Sequence, residues 1–200
     1  MYKKLIVSEL NEALLILDKF IKNNNNIKLI EKAAKIIVNT FKSGCKIISC
    51  GNGGSNCDSM HLSEELMGFY REYRCGYPSI SISDSSYISC VSNDLDYSKI
   101  FSRYIDSIGK TGDLLIALTT SGNSKNIINA VNSAKKKNIK IIIFTGNNGY
   151  KIKEDIDLEI CISHIGYSDR IQEMHIKIIH VIIFIVEQMI NKNIKNTFFI

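Results

Sequence analysis

Two hundred residues, 45% hydrophobic and 22% charged, suffice for one domain with a full apolar core and exclude a disordered or fibrous chain. The net charge of +5 is mild and its lysines are scattered, which suits an anionic small substrate. No aromatic–basic interleaving accompanies Lys135-Lys136-Lys137, so a nucleic-acid partner is not expected, and the six cysteines contain no CxxC pair, so free thiols in a reducing cytoplasm are.

The chain opens with MYKKLIVSELNEALLILDKF, in which Ser8, Glu9, Asn11 and Glu12 interrupt any apolar stretch. It therefore reads as a helix over Lys3–Lys22, with Leu5, Leu10, Leu14, Leu15, Leu17 and Phe20 at helical spacing, and not as a signal peptide. Asn23 to Asn26 form a polar break, and a second helix runs from Ile27 to Ser43 and stops at Gly44. Short β-rich runs follow, each trailed by a turn. Strands are predicted at Lys46–Cys50, Ser79–Ser83, Leu114–Thr119, Lys140–Thr145 and Leu158–Ile162. Helices are predicted at Asn56–Phe69, Ser86–Ser92, Lys125–Lys137 and Ser168–Ile190. Continuous apolar strands such as LLIAL and IIIF require a sheet covered on both faces, and strand–helix alternation makes it parallel. The expected fold is thus a three-layer α-β-α sandwich with five parallel strands. It forms one domain: a helical segment 1–43, an α/β core 44–190 and a tail 191–200. The apolar run from Ile176 to Ile190 carries Lys177, His180 and Glu187; it is expected to be buried, between subunits, not in a membrane.

Ligands of such sheets bind beyond the carboxyl ends of the strands. The segment TTSGNS follows strand LLIAL and opens a helix, so its amides face an anion from the positive helix end. Thr119, Thr120, Ser121 and Ser124 can all donate to phosphate, where an ordinary helix cap needs one hydroxyl. The turn GNGGSN lacks the third glycine of a dinucleotide fingerprint, and no GxxxxGK[ST] occurs, so a nucleotide-dependent oxidoreductase is not expected. The turn can instead offer amides and the Asn52 carboxamide to a polyhydroxyl substrate. His61 and Glu65 share one helix face at i and i+4, and Gln172 and His180 share a side of another helix two turns apart. Two imidazoles, a carboxylate and a carboxamide suit zinc or a similar divalent ion, although a helical histidine is often a surface or core residue. His164 and His175 have no such company and read as structural.

SCGNGGSNCDSMHLSEEL, SDSSYISCVSND, TTSGNS and GYSDRIQEMHIKIIH, in this order, resemble the phosphoheptose isomerase family of the SIS (sugar isomerase) fold. The resemblance runs to about Glu187. It implies isomerisation of sedoheptulose 7-phosphate, the first step of ADP-heptose synthesis for the lipopolysaccharide core. It implies that Asn52, Gly53, Gly54 and Ser55 line the sugar-phosphate pocket, that Asn93 and Asp94 bind hydroxyls, and that Thr119, Thr120, Ser121 and Ser124 hold phosphate. It makes His61, Glu65, Gln172 and His180 ligands of one zinc ion per subunit, with Glu65 and Gln172 also reaching substrate. It further implies a cytoplasmic homotetramer with active sites at subunit interfaces. Two positions depart from the family pattern. Phe69 follows Gly68 where an arginine is usual, so that contact is missing or supplied by Arg71 or Arg74. Thr119 stands where serine is common. For the chemistry, Glu65 is expected as base and His180 as acid. The competing reading is a non-catalytic SIS protein such as the DnaA initiator-associating group, which lacks equivalents of Glu65 and His180.

Overall fold

The computed structural model of the chain describes residues 1–147, 149–150 and 156–197, with side chains to residue 191. Helix α1 (Lys3–Lys22) matches the predicted span. Helix α2 (Asn24–Lys42) starts earlier than predicted, because the Asn23 side chain accepts the Asn25 amide. The asparagine run is therefore a helix cap, not a break. Strand β1 (Ile47–Gly51), helix α3 (Gly54–Met67), strand β2 (Ser79–Ser81) and helix α4 (Ser85–Asp94) follow. A 3₁₀ turn at Tyr97–Lys99 then leads into helix α5 (Ile100–Ile108), which was not predicted. Strand β3 (Leu114–Thr119), helix α6 (Lys125–Lys136), strand β4 (Lys140–Gly146), strand β5 (Leu158–Ile162) and helix α7 (Ser168–Thr197) complete the order. Helix α7 continues beyond the predicted Ile190, since Asn191 to Thr197 contains neither glycine nor proline to stop it.

All five strands are parallel, in the order β2-β1-β3-β4-β5. The chain leaves β1 toward one edge and returns to β3 on the other side, which opens a crevice beyond the carboxyl ends of β1 and β3. Alternate residues of each strand feed opposite layers. Leu114, Ile116, Leu118, Ile142 and Phe144 pack with Ala33, Ile37 and Leu62 of α2 and α3 and with Ile179 and Ile183 of α7. Leu115, Ala117, Ile141 and Ile143 pack with Phe101 and Ile105 of α5 and Ile127 and Val131 of α6. The three-layer α/β sandwich is thus as predicted. Among the described residues, no helix is long and apolar enough to cross a membrane.

Helix α3 meets the sheet differently from its neighbours. Its buried residues include Ser55, Ser59 and Ser63 beside Leu62 and Leu66. The Ser49 hydroxyl of β1 donates to the Ser59 carbonyl at 2.9 Å and pairs with the Ser63 hydroxyl at 3.0 Å. Ser63 pairs with Ser79, and Ser59 with Ser81, both at 2.9 Å on β2. Short side chains let α3 sit close to the strands, and the hydroxyls of Ser49, Ser59, Ser63, Ser79 and Ser81 are all bonded, as buried polar groups must be.

His175 of α7 is fully buried, its Nε2–H donating to the Thr145 carbonyl of β4 at 3.0 Å beside the Phe144 ring. Burial pushes its imidazole down from 6.5 to about 4. An unfolded chain gains a proton here as pH falls through 6.5, whereas the folded chain stays neutral until about 4. The His175 contribution is therefore complete above pH 6.5 and lost toward pH 4, by roughly 3 kcal/mol. Asp58 titrates with the opposite sign, because burial raises its carboxyl from 3.8 to about 6. The measurement is accordingly a difference: urea unfolding of wild type and His175→Gln should diverge with pH across 4 to 6.5, the wild type losing relative stability as pH falls. A constant difference would show that the imidazole is not held neutral.

Candidate functional site

Two groups of side chains gather at the crevice, and a third lies between α3 and α7. At the end of β1, Gly53 has φ +55°, a conformation that favours glycine. The Asn52 carboxamide forms a reciprocal pair with Asn126, at 2.9 and 2.8 Å, and its oxygen also accepts the Tyr97 hydroxyl at 2.9 Å. Asn126 is 3% exposed, in the first turn of α6. This pair ties the glycine turn to the helix of the TTSGNS loop, and the sequence reading had missed both Asn126 and Tyr97.

At the end of β3, Thr119 is buried and its Oγ1 lies 3.4 Å from both Ser121 Oγ and Ser124 Oγ. Three hydroxyls therefore converge in front of α6. Ser124 is the N-cap residue of α6, yet its side chain makes no capping bond. The hydroxyl that an ordinary cap would consume stays available to a ligand at the positive end of the helix. Gly122 has φ +63°, and a methyl group there would collide with the Gly149 carbonyl.

The third group lies between α3 and α7. His61 Nε2 is 3.2 Å and His180 Nε2 3.5 Å from Glu65 Oε1, and the two imidazole nitrogens are 3.5 Å apart. The Glu65 side chain is 12% exposed, and its Oε2 is buried without a hydrogen-bond partner. Burial raises the Glu65 carboxyl above its ordinary range, opposed by the charges of His180 and His61. The Tyr70 ring stacks on His180 with centroids 5.9 Å apart. The donor atoms of His61, Glu65 and His180 lie within 4.8 Å of one another, so they could hold one metal ion.

The other predicted residues are placed as follows. Ser55 is buried in the first turn of α3. Thr120 is half-buried beside the converging hydroxyls. Gln172 lies against Gly54, where a methyl group would sit 2.5 Å from its Oε1. Asn93 and Asp94 are exposed at the end of α4, bonded to each other at 2.9 Å, next to the segment that carries Tyr97. Hydrogen bonds from Asn93 and Cys90 hold the Asp94 carboxyl below its usual range. The two arginines after Phe69 are both engaged. Arg71 lies over the Tyr70 and Phe184 rings at 5.0 and 4.9 Å, and Arg74 is bound to the end of α3.

A family model for the SIS domain matches residues 10–146. The chain is 59% identical over 193 residues to a phosphoheptose isomerase of Buchnera aphidicola, covering 96% of this chain and all of that one. It is 56% identical over 187 residues to the phosphoheptose isomerase of Glaesserella parasuis, covering 94% of this chain and 97% of that one. Solved phosphoheptose isomerases of Neisseria gonorrhoeae and Francisella tularensis superpose with TM-scores of 0.87 and 0.88 at 27% and 28% identity. Each covers 94% of this chain, matched by 100% and 99% of the solved chains.

Proposed function

The chain belongs to the phosphoheptose isomerases of the SIS domain family, and from that membership we propose that it converts D-sedoheptulose 7-phosphate to D-glycero-D-manno-heptose 7-phosphate through an enediolate. We place this step at the start of ADP-heptose synthesis for the lipopolysaccharide core, in the cytoplasm. The observation that carries the reading is the Glu65 carboxylate with one oxygen toward His61 and His180 and the other buried and unpartnered. A carbon acid needs such a base. Burial strengthens the carboxylate as a proton acceptor, and Glu65 takes the proton from carbon 1 and returns it to carbon 2. His180, held against Tyr70, donates to the substrate oxygen on which charge develops. Thr119, Thr120, Ser121 and Ser124 hold the phosphate, which keeps the open-chain sugar in register. Asn52, Gly53, Gly54, Ser55, Asn93 and Asp94 line the sugar.

His61, Glu65 and His180 fit a zinc ion: two imidazole nitrogens and Glu65 Oε1 converge, and the second oxygen of that carboxylate has no other hydrogen-bond partner. Bound zinc would supply Lewis acidity at the carbonyl. Gln172, the fourth proposed ligand, is eight residues before His180, roughly 12 Å along α7. That separation supports a homotetramer whose sites lie between subunits, with Gln172 reaching the ion of a neighbouring copy. The outer face of α1 supports the same assembly, since Leu5, Leu10, Leu14 and Leu15 are each at least 60% exposed.

The test is conversion of sedoheptulose 7-phosphate by the purified protein, with and without added zinc. Turnover that rises with zinc is the expected result. A folded, zinc-loaded tetramer that binds the sugar phosphate without turning it over would replace this reading with that of a binding protein.

A further inference from the structure

Arg74 lies in the loop between α3 and β2, and its donors are turned to α3 and α7. Its guanidinium is 12% exposed in the ion pair with Glu187, itself 8% exposed. Nη2 donates to the Glu65 carbonyl at 2.8 Å, and Nη1 to the carbonyls of Leu66 and Gly68 at 2.9 and 3.0 Å. Nε donates to Glu187 Oε1 at 2.7 Å. The planar group also stacks over the Tyr77 ring at 4.1 Å, and Tyr77 stacks on Phe41 of α2 at 5.0 Å.

The last carbonyls of a helix have no partner within it. Arg74 supplies partners for those at the end of α3, one of them on Glu65 itself. Its remaining donor reaches α7 at Glu187, seven residues or about two turns beyond His180, on the same side of that helix. The planar fork of an arginine satisfies both directions at once, which a lysine cannot do. The guanidinium thereby links the backbone of Glu65 to the helix that carries His180, across the 3.5 Å gap between their side chains.

We propose that Arg74 and Glu187 are positioning residues that set the spacing of Glu65 and His180, and with it the metal-binding geometry of His61, Glu65 and His180. This rests on the isomerase reading for its kinetic consequence but not for its metal-binding one. Arg74→Lys and Glu187→Gln are suitable variants, since both keep side-chain volume and Glu187→Gln keeps an acceptor oxygen. Two quantities are measured well below each variant's melting temperature. One is kcat and KM for sedoheptulose 7-phosphate. The other is zinc affinity, by competition with a chromophoric chelator. The expected result is a loss of kcat and of zinc affinity of about tenfold or more, with KM little changed because the phosphate loop lies elsewhere. Loss of melting temperature with kcat and zinc affinity both unchanged would overturn the proposal and leave Arg74 a cap of α3 alone. If wild type shows no turnover, the isomerase reading fails, and the zinc titration still decides the role of Arg74.

Discussion

Glu65→Gln should lower kcat by roughly 10²- to 10⁴-fold with little change in KM, and His180→Gln should do the same. Each change keeps the volume of the side chain or nearly so, and neither residue touches the converging hydroxyls of Thr119, Ser121 and Ser124. What the first removes is the carboxylate that acts as the base, whose proton affinity burial raises. What the second removes is the imidazole 3.5 Å away that would protonate the developing oxyanion. Because Glu65 and His180 also fit a metal, zinc content has to be measured beside the rates. Lost turnover at retained zinc occupancy assigns the loss to proton transfer. Either variant keeping wild-type kcat would remove that residue from the mechanism.

The second large effect is expected at the phosphate loop. Gly122→Ala should cut kcat/KM by about 100-fold, mainly through KM, because it misplaces groups that orient the substrate. A left-handed backbone costs alanine about 1–2 kcal/mol, and the added methyl collides with the Gly149 carbonyl. The loop must shift, and the three hydroxyls then cease to converge. Inhibition by inorganic phosphate should weaken in step. Unchanged KM and phosphate inhibition, with only a lower melting temperature, would show that TTSGNS closes the fold without holding the ligand.

The sequence revealed those parts of the molecule whose cause is local. Strands β3 and β5 fall at their predicted bounds, because a short apolar run between turn residues needs no distant partner to be read. The TTSGNS loop was legible for the same reason: four hydroxyls at a strand-to-helix turn are more than a cap consumes. Helix α5 escaped, although Ile100, Phe101, Tyr104, Ile105 and Ile108 stand at helical spacing, because it is short and follows a 3₁₀ turn. His61 and Glu65 could be paired from their spacing on one helix. Their meeting with His180, 119 residues after His61, followed from the family resemblance and not from spacing. Asn126 and Arg74 had no local signal. Asn126 acts through Asn52, 74 residues away, and Arg74 through Glu187, 113 residues away. Only the folded chain brings such partners together.

The serines beneath α3 bear on how evolution can alter this enzyme. An apolar contact tolerates gradual repacking, since greasy surfaces slide and refill. Hydroxyls paired one to one do not, because a shift of α3 by a single position would orphan several buried groups together. The helix that bears His61 and Glu65 is thus keyed to its strands like a toothed rack. Substitutions there pass only in matched sets, whereas the outer surface of the same helix is free to diverge.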